Sequence, residues 1–166
     1  MIKPIREIHF AFQAAIDALE DISRVMPQMK ELATQWSGRL RAFIALTGDA
    51  EEGELWRLSM AVSQSACALA ELCQRTRVRC DAARLALVAV RRGCREADVD
   101  RRVDTLIGTA CATATAQLEL IEQTIREAQR RFASEQEQLL ELALSHDTPP
   151  RTRAIAQATI LRARGT

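Results

Sequence analysis

The chain has 166 residues, the length of one ordinary domain, and its 23 basic and 22 acidic residues leave a formal net charge of +1. This balance excludes the strong positive field by which proteins attract nucleic acid or anionic membranes without specificity. Aromatic residues make up only 4% and tyrosine is absent, whereas Ala, Leu, Arg, Glu and Gln are abundant, as is typical of long helices.

The first predicted helix covers residues 5–46, because apolar side chains recur there at alternating spacings of three and four residues. Pro27 clashes with the carbonyl group four residues earlier, but the apolar stripe keeps its phase across it. We therefore expect one helix kinked at Pro27. The stripe consists of Ile5, Ile8, Phe12, Ala15, Leu19, Ile22, Met26, Met29, Ala33, Trp36, Leu40 and Phe43.

The second predicted helix covers residues 53–92. Thr47 and Gly48 end the first helix, Asp49 with Glu52 resembles a capping pair, and Gly93 is expected to end the second. Its stripe consists of Leu55, Leu58, Val62, Ala66, Leu69, Cys73, Thr76, Cys80, Ala83, Leu87 and Val90.

The third predicted helix covers residues 98–145 and ends before SHDTPP, where two prolines prevent its continuation. Its stripe passes through Ala110, with Cys111 beside it. Because the connections are short, we expect an all-α fold, an elongated antiparallel bundle of three long coiled-coil-like helices plus a short C-terminal helical tail. Residues 1–148 would form the bundle domain, and residues 149–166 a basic tail with a short helix as an alternative.

Within the third helix, the segment GTACATATAQ (residues 108–117) contains mostly small residues, including Thr113 and Thr115. Threonine is a mediocre helix former, so packing or partner binding must favour it here. One interpretation is a narrow waist where helices approach closely, and the other is a groove that accepts a partner's side chains or helix.

Three aromatic residues, Trp36, Phe43 and Trp56, map with Phe132 to one end of the bundle. We expect them in the core, with indole N–H groups bonded to a polar partner such as Glu135. Any exposed part of this cluster would be a candidate interaction hot spot.

Arginines cluster in two places. Those near the second turn alternate with acidic residues and predict a solvated, salt-bridged tip: Arg91, Arg92, Arg95, Arg101 and Arg102. The tail has no acidic residue of its own, so it is a candidate contact for nucleic acid, acidic lipid or an acidic protein surface, although the lack of aromatic residues disfavours specific single-strand binding. Its arginines are Arg151, Arg153, Arg162 and Arg164. We expect this tail to be flexible or weakly docked, the alternative being a fourth helix that packs Ile155, Ile160 and Leu161 into the core.

The sequence favours no catalytic chemistry. Cys73 and Cys80 are seven helical residues apart, about 10 Å, which is too far to share a tetrahedral zinc ion. His9 has no predicted nucleophile nearby, and Ser145 beside His146 is interpreted as a solvated polar residue at a helix end. Neither histidine joins a cysteine cluster, and no phosphate-binding glycine loop occurs. We therefore expect no catalytic residue, no metal and no cofactor.

The cellular compartment is predicted from the N-terminal segment, the length of the apolar runs and the cysteines. The segment MIKPIREIHF lacks the apolar stretch of a secretory signal, and the longest apolar run, Leu85–Val90, is too short to cross a bilayer. Five cysteines in such a chain predict reduced thiols in a cytoplasm. The excess of arginine over lysine indicates a GC-rich bacterial gene.

Together these features predict a non-catalytic protein-interaction module of a bacterial cytoplasm: an adaptor, chaperone, immunity protein or assembly subunit. The partner would be another protein of unknown identity, with self-association as an alternative and no specific nucleic acid. The competing function is an amphipathic protein that binds membrane or lipid surfaces, which the balanced charge disfavours.

Overall fold

The computed structural model describes residues 2–46 and 51–164, and the side chains of residues 5–46 and 51–163. These ranges form helices α1 (Ile2–Ala45), α2 (Glu52–Glu96), α3 (Arg101–Leu144) and α4 (Pro150–Arg164), with no strand among them. The prediction of three long helices and a short C-terminal helix is confirmed. Asp49, expected to cap α2, lies outside the described residues.

Burial along the long helices recurs every seven residues. An apolar heptad repeat keeps one side of a helix against its neighbours, and the spacing of three and four residues produces this repeat. In α1 the buried row consists of Ala15, Ile22, Met29, Trp36 and Phe43. In α2 there are two buried rows. The first consists of Leu55, Val62, Leu69, Thr76, Ala83 and Val90, and the second of Ser59, Ala66, Cys73, Cys80, Leu87 and Cys94. The heptad phase of α2 is thus kept along its length.

The chain forms two compact units, and each long helix contributes a segment to both. Unit 1 comprises Met1–Pro27 and Gln74–Ile125, and unit 2 comprises Gln28–Cys73 and Arg126–Thr166. Each unit has its own apolar core, centred on Ile22 and Leu118 in unit 1 and on Phe43 and Leu139 in unit 2. These cores are built from segments that are distant in the sequence.

Pro27 lies inside α1, which continues through it without a break, as the unbroken stripe indicated. The division of α1 between the two units falls directly after this proline. The pyrrolidine ring removes one helical hydrogen bond, but packing on both sides of Pro27 keeps the segment helical.

Gly93 does not end α2, which continues to Glu96, so the expected stop at residue 92 is wrong. A Cβ atom at Gly93 would lie 2.6 Å from Ile8 Cγ1, closer than two such atoms can approach. Glycine is therefore needed here because α1 and α2 of unit 1 pack closely. The helix ends at Glu96, and two residues later Asp98 has a φ of 48°, a left-handed conformation typical of helix C-termini. The Val99 N–H donates to the Cys94 carbonyl oxygen at 3.5 Å.

We expect Gly93→Ala to lower the free energy of unfolding by about 1 kcal/mol. Overpacking against Ile8 costs about 1–3 kcal/mol, which exceeds the gain of about 1 kcal/mol in helix propensity. Gly38→Ala is the matched control, since Gly38 is also helical and no atom lies within 4 Å of the position of its Cβ. This control should raise the free energy by up to about 1 kcal/mol. Urea unfolding followed by circular dichroism measures both, and stabilisation of equal size would contradict the close packing.

α4 packs into the core of unit 2, which corrects the expectation of a flexible or weakly docked tail. Ile155 is 2% exposed and Ala156 is fully buried. The hydroxyl groups of Thr159 and Ser59 lie 2.6 Å apart and form a buried hydrogen bond between α4 and α2. This tail is therefore a fourth helix of the core, as in the alternative considered above.

The other two aliphatic side chains of α4 are less buried than Ile155. Ile160 is half-buried against the core of unit 2, whereas Leu161 is 71% exposed. The connection that precedes α4 is held by Arg153, whose Nη2 donates to the carbonyl oxygens of His146 (3.2 Å) and Thr148 (3.1 Å). This arginine therefore fixes the start of α4.

Candidate functional site

The aromatic side chains of α1 lie inside unit 2. Trp36 is 2% exposed and stacks at a tilt on Phe132 with 4.5 Å between ring centroids, and Phe43 is fully buried. The Trp36 Nε1 has no hydrogen-bond partner among the described residues, so the expected bond to Glu135 is wrong. Glu135 instead accepts a hydrogen bond from the Ser37 hydroxyl at 2.8 Å. In this fold neither Trp36 nor Phe43 presents a ring to a partner.

Trp56 is half-buried, and an arginine of α4 covers its ring. The Arg162 Cζ lies 5.0 Å from the ring centroid, a cation–π geometry. The same guanidinium lies 2.9 Å from Met60 Sδ and 3.4 Å from the Ser59 hydroxyl. Arg162 therefore joins α4 to α2 within the chain.

The remaining tail arginines divide similarly. Arg151 is exposed and pairs with Glu52 at 3.5 Å, a surface ion pair of small energetic weight. Arg153 binds the backbone of the α3–α4 connection. The side chain of Arg164, the last residue of α4, lies outside the described side chains. Three of the four arginines that the sequence analysis assigned to a partner thus contact their own chain.

The thiols are buried among apolar groups. Burial raises the pKa of Cys80, Cys94 and Cys111 above the ordinary thiol value, so at neutral pH these groups stay protonated and are weak nucleophiles. Within the described ranges no three His, Cys, Asp or Glu side chains are placed to hold a metal ion. The candidate site is therefore sought among surfaces.

The segment GTACATATAQ lies in α3 of unit 1. Its packing differs by one position from the expected stripe, because Cys111 is 5% exposed and in the core while Ala110 is exposed. Thr113 is exposed and its hydroxyl donates to the Thr109 carbonyl oxygen at 3.1 Å. Thr115 is half-buried and donates in the same way to the Cys111 carbonyl oxygen at 2.8 Å. Thr115 lines a cavity between α2 and α3, and Thr113 is not among the residues that line this cavity.

We call this cavity the open groove. It lies between α2 and α3 of unit 1 and has a volume of about 570 Å³. Val88, which is 66% exposed, gives it an accessible apolar side chain, and Leu87 lies deeper in the core. The groove is lined by Arg84, Leu87, Val88, Arg91, Arg92 and Arg95 of α2 and by Cys111 and Thr115 of α3.

Four arginines and no acidic residue line the open groove. Arg84 pairs with Glu122 at 2.8 Å, Arg91 with Asp104 at 3.0 Å, and Arg92 with Glu96 at 3.7 Å. These ion pairs offset the charge of three of the four guanidinium groups, and their acidic partners lie outside the lining of the groove.

Arg95, by contrast, makes no ion pair with a described acidic residue, and its side chain is exposed. Of the four guanidinium groups in the groove, that of Arg95 is therefore the most available to an external carboxylate.

Gly108 explains how Arg91 reaches α3. A Cβ atom at Gly108 would lie 3.1 Å from Arg91 Nη1, so the guanidinium lies directly against the backbone of α3. From there Nη1 donates to both the carboxylate and the carbonyl oxygen of Asp104. The glycine that opens the small-residue segment thus positions one arginine of the groove.

The α3 side of this groove was predicted from the sequence, and the α2 side was not. The predicted salt-bridged tip is confirmed for Arg91 and Arg92, which pair with Asp104 and Glu96. These arginines were not connected with the apolar run Leu85–Val90 into one surface. The signal that was available is an exposed Val88 between arginines at the spacing of one helix face.

No helix in the described residues is both long enough and apolar enough to cross a membrane. Comparison of the chain with models of protein families, with curated proteins and with solved structures finds no match.

Proposed function

We propose that this chain is a non-catalytic protein-interaction module of a bacterial cytoplasm, an adaptor, chaperone, immunity protein or assembly subunit, and that the open groove is its docking surface. The observation that carries this proposal is an apolar groove bordered by arginines, with an exposed Val88 beside it. The core of a protein interface is more apolar than the rest of the surface, and arginine is enriched there whereas lysine and acidic residues are depleted.

The distribution of exposed apolar side chains supports unit 1 as the binding unit. Most of the large hydrophobic side chains exposed in the described ranges belong to unit 1, and exposed apolar groups in number mark interaction surfaces. Those of unit 1 are Ile5, Phe10, Val78, Leu85, Val88, Val103, Leu106 and Leu120. In unit 2, α4 covers part of the corresponding surface.

Site-specific photo-crosslinking in the native cells tests the proposal. A benzophenone amino acid replaces Val88 in one strain and Leu120 in another, because the two side chains are equally exposed (66% and 65%) and only Val88 lines the groove. We expect a discrete adduct with a second protein from the Val88 position and none from Leu120. Adducts at both positions or at neither would overturn the proposed docking surface.

A vesicle flotation experiment distinguishes protein binding from the competing lipid-surface function. Purified protein is mixed with vesicles that contain anionic phospholipid and is floated through a density gradient. We expect the protein to remain in the dense fractions. Stable flotation that persists in moderate salt would instead support a lipid-surface function, since amphipathic helices bind membranes through apolar area and charge together.

A further inference from the structure

α4 shows how a helix packs against α2 and α3 in unit 2. The Thr159 hydroxyl bonds to Ser59 of α2, and the Gln157 side-chain amide donates to the Ala143 carbonyl oxygen of α3 at 3.3 Å. Ile155 is buried in the same cluster as Leu139 and Ala143. Unit 2 therefore places four helices around its core, with α4 in the groove between α2 and α3.

The open groove of unit 1 uses the same heptad positions of both helices. The buried rows of α2 keep their phase over its whole length, so positions that differ by whole heptads have equivalent surroundings in that helix. Four heptads separate Trp56, Ser59 and Met60 from Arg84, Leu87 and Val88 in α2, and Cys111 and Thr115 from Leu139 and Ala143 in α3. Five of the eight residues that line the open groove thus have counterparts in unit 2 that pack with α4, and the other three are Arg91, Arg92 and Arg95.

We propose that the open groove binds an amphipathic helix of a partner protein, apolar on one face and acidic along its flanks, in the way that α4 is bound in unit 2. The proposal rests on the interaction function proposed above and names the partner's chemistry. Cys111 stands where unit 2 has Leu139, and the smaller side chain leaves room for an apolar group of the incoming helix.

The charge of the groove selects an acidic helix. Arg84 and Arg91 occupy the positions of Trp56 and Ser63 in unit 2, and Arg92 and Arg95 add two further guanidinium groups. Guanidinium groups at the rim of an interface bind carboxylates in a bidentate manner and reject cations.

The same charge excludes self-association through α4 of a second copy. That helix carries four arginines and no acidic residue. Like charges opposed across an interface are destabilising, so α4 is the wrong occupant for an arginine-lined groove. The partner helix must come from a different segment, with glutamate or aspartate beside its apolar face.

A stapled peptide of 15 residues, the length of α4, supplies the probe. Its apolar face carries Leu and Ala, and its flanks carry Glu; a second peptide has Lys at every Glu position. We expect the acidic peptide to bind at least about tenfold more tightly in fluorescence anisotropy, with an affinity that falls as salt is added. Equal binding of the two peptides would overturn the charge selection.

Three variants locate the binding surface. Arg95→Glu and Val88→Asp change exposed groove residues, and each should lower the affinity for the acidic peptide by about tenfold. Arg126→Glu is the control, because Arg126 is an exposed arginine of α3 outside the groove lining. The affinity of this variant for the acidic peptide should differ from that of the unchanged protein by less than about twofold. Melting temperatures verify that each variant is folded. Equal effects of Arg95→Glu and Arg126→Glu would overturn the assignment to this groove.

The two proposals fail in different ways. A protein adduct at Val88 without binding of the acidic peptide would overturn the acidic helix and leave the interaction function standing. Binding of the acidic peptide that is lost in Val88→Asp, together with an acidic helical segment at the crosslinked site of the adduct, would support both.

Discussion

A chain that ends at Thr148, and so lacks α4, should lose at least about 3 kcal/mol of unfolding free energy. Burying one aliphatic side chain contributes about 1.5–3 kcal/mol, and α4 both buries Ile155 and covers Leu139. The truncation also removes Thr159, the hydrogen-bond partner of the Ser59 hydroxyl. Tryptophan fluorescence during urea unfolding is the suitable measurement, because the chain's two tryptophans, Trp36 and Trp56, both lie in unit 2.

A matched pair of substitutions separates packing from chain length. Ile155→Ala removes a side chain that is 2% exposed and should cost about 2–4 kcal/mol, whereas Leu161→Ala, at 71% exposure on the same helix, should cost less than about 0.5 kcal/mol. An unchanged fluorescence transition in the truncated chain, or equal effects of the two substitutions, would show that α4 does not belong to the core.

Phe43→Ala should lower the free energy of unfolding by about 3–5 kcal/mol. Phe43 is fully buried in the core of unit 2, beside Leu40 and Leu55, so its removal leaves a cavity that the surrounding helices cannot close. The midpoint of urea unfolding, again read from tryptophan fluorescence, should fall accordingly.

Phe10→Ala provides the control on the same helix. Phe10 is 59% exposed, with the Arg6 guanidinium 5.6 Å from its ring centroid and the His9 ring beside it. Its removal should cost less than about 1 kcal/mol, the value of an exposed cation–π contact. A loss at Phe43 no larger than that at Phe10 would mean that the core of unit 2 is placed wrongly.

The long helices could be predicted because their stripes repeat an unambiguous physical pattern. A residue such as Ile22 or Leu69 has no favourable place except against another helix, and its recurrence every seven residues defines one buried side. Pro27 did not mislead, since the stripe kept its phase across it. The ends of the helices were predicted to within about four residues.

Features that depend on contacts between distant segments were not predictable. Gly93 is normally a helix-ending signal, and only the position of Ile8 shows that it permits close packing. α4 was underestimated because two of its buried residues, Thr152 and Thr159, are polar. Their burial depends on hydrogen bonds such as the one to Ser59, and an apolar stripe does not show these bonds.

The candidate site was found only in part for a similar reason. Ala110 and Cys111 are both small, so periodicity alone did not decide which one faces the core. The arginines near the second turn alternate with acidic residues in sequence, which predicted the ion pairs of Arg91 and Arg92 but not the groove that these arginines line. In the folded chain Glu122 and Asp104 of α3 pair with Arg84 and Arg91, and this arrangement leaves the acidic groups outside the groove.

The hydrogen bond from the Thr115 side chain to the backbone of α3 lowers the free-energy cost of removing water from the open groove. A hydroxyl group that loses its water without gaining a partner costs about 1–3 kcal/mol. The Thr115 hydroxyl already donates to the Cys111 carbonyl oxygen, so an apolar group can displace the water above it without that loss. What Thr115 offers an incoming surface is then chiefly its methyl group. The threonine in the groove lining therefore behaves as an apolar contact once its water has left.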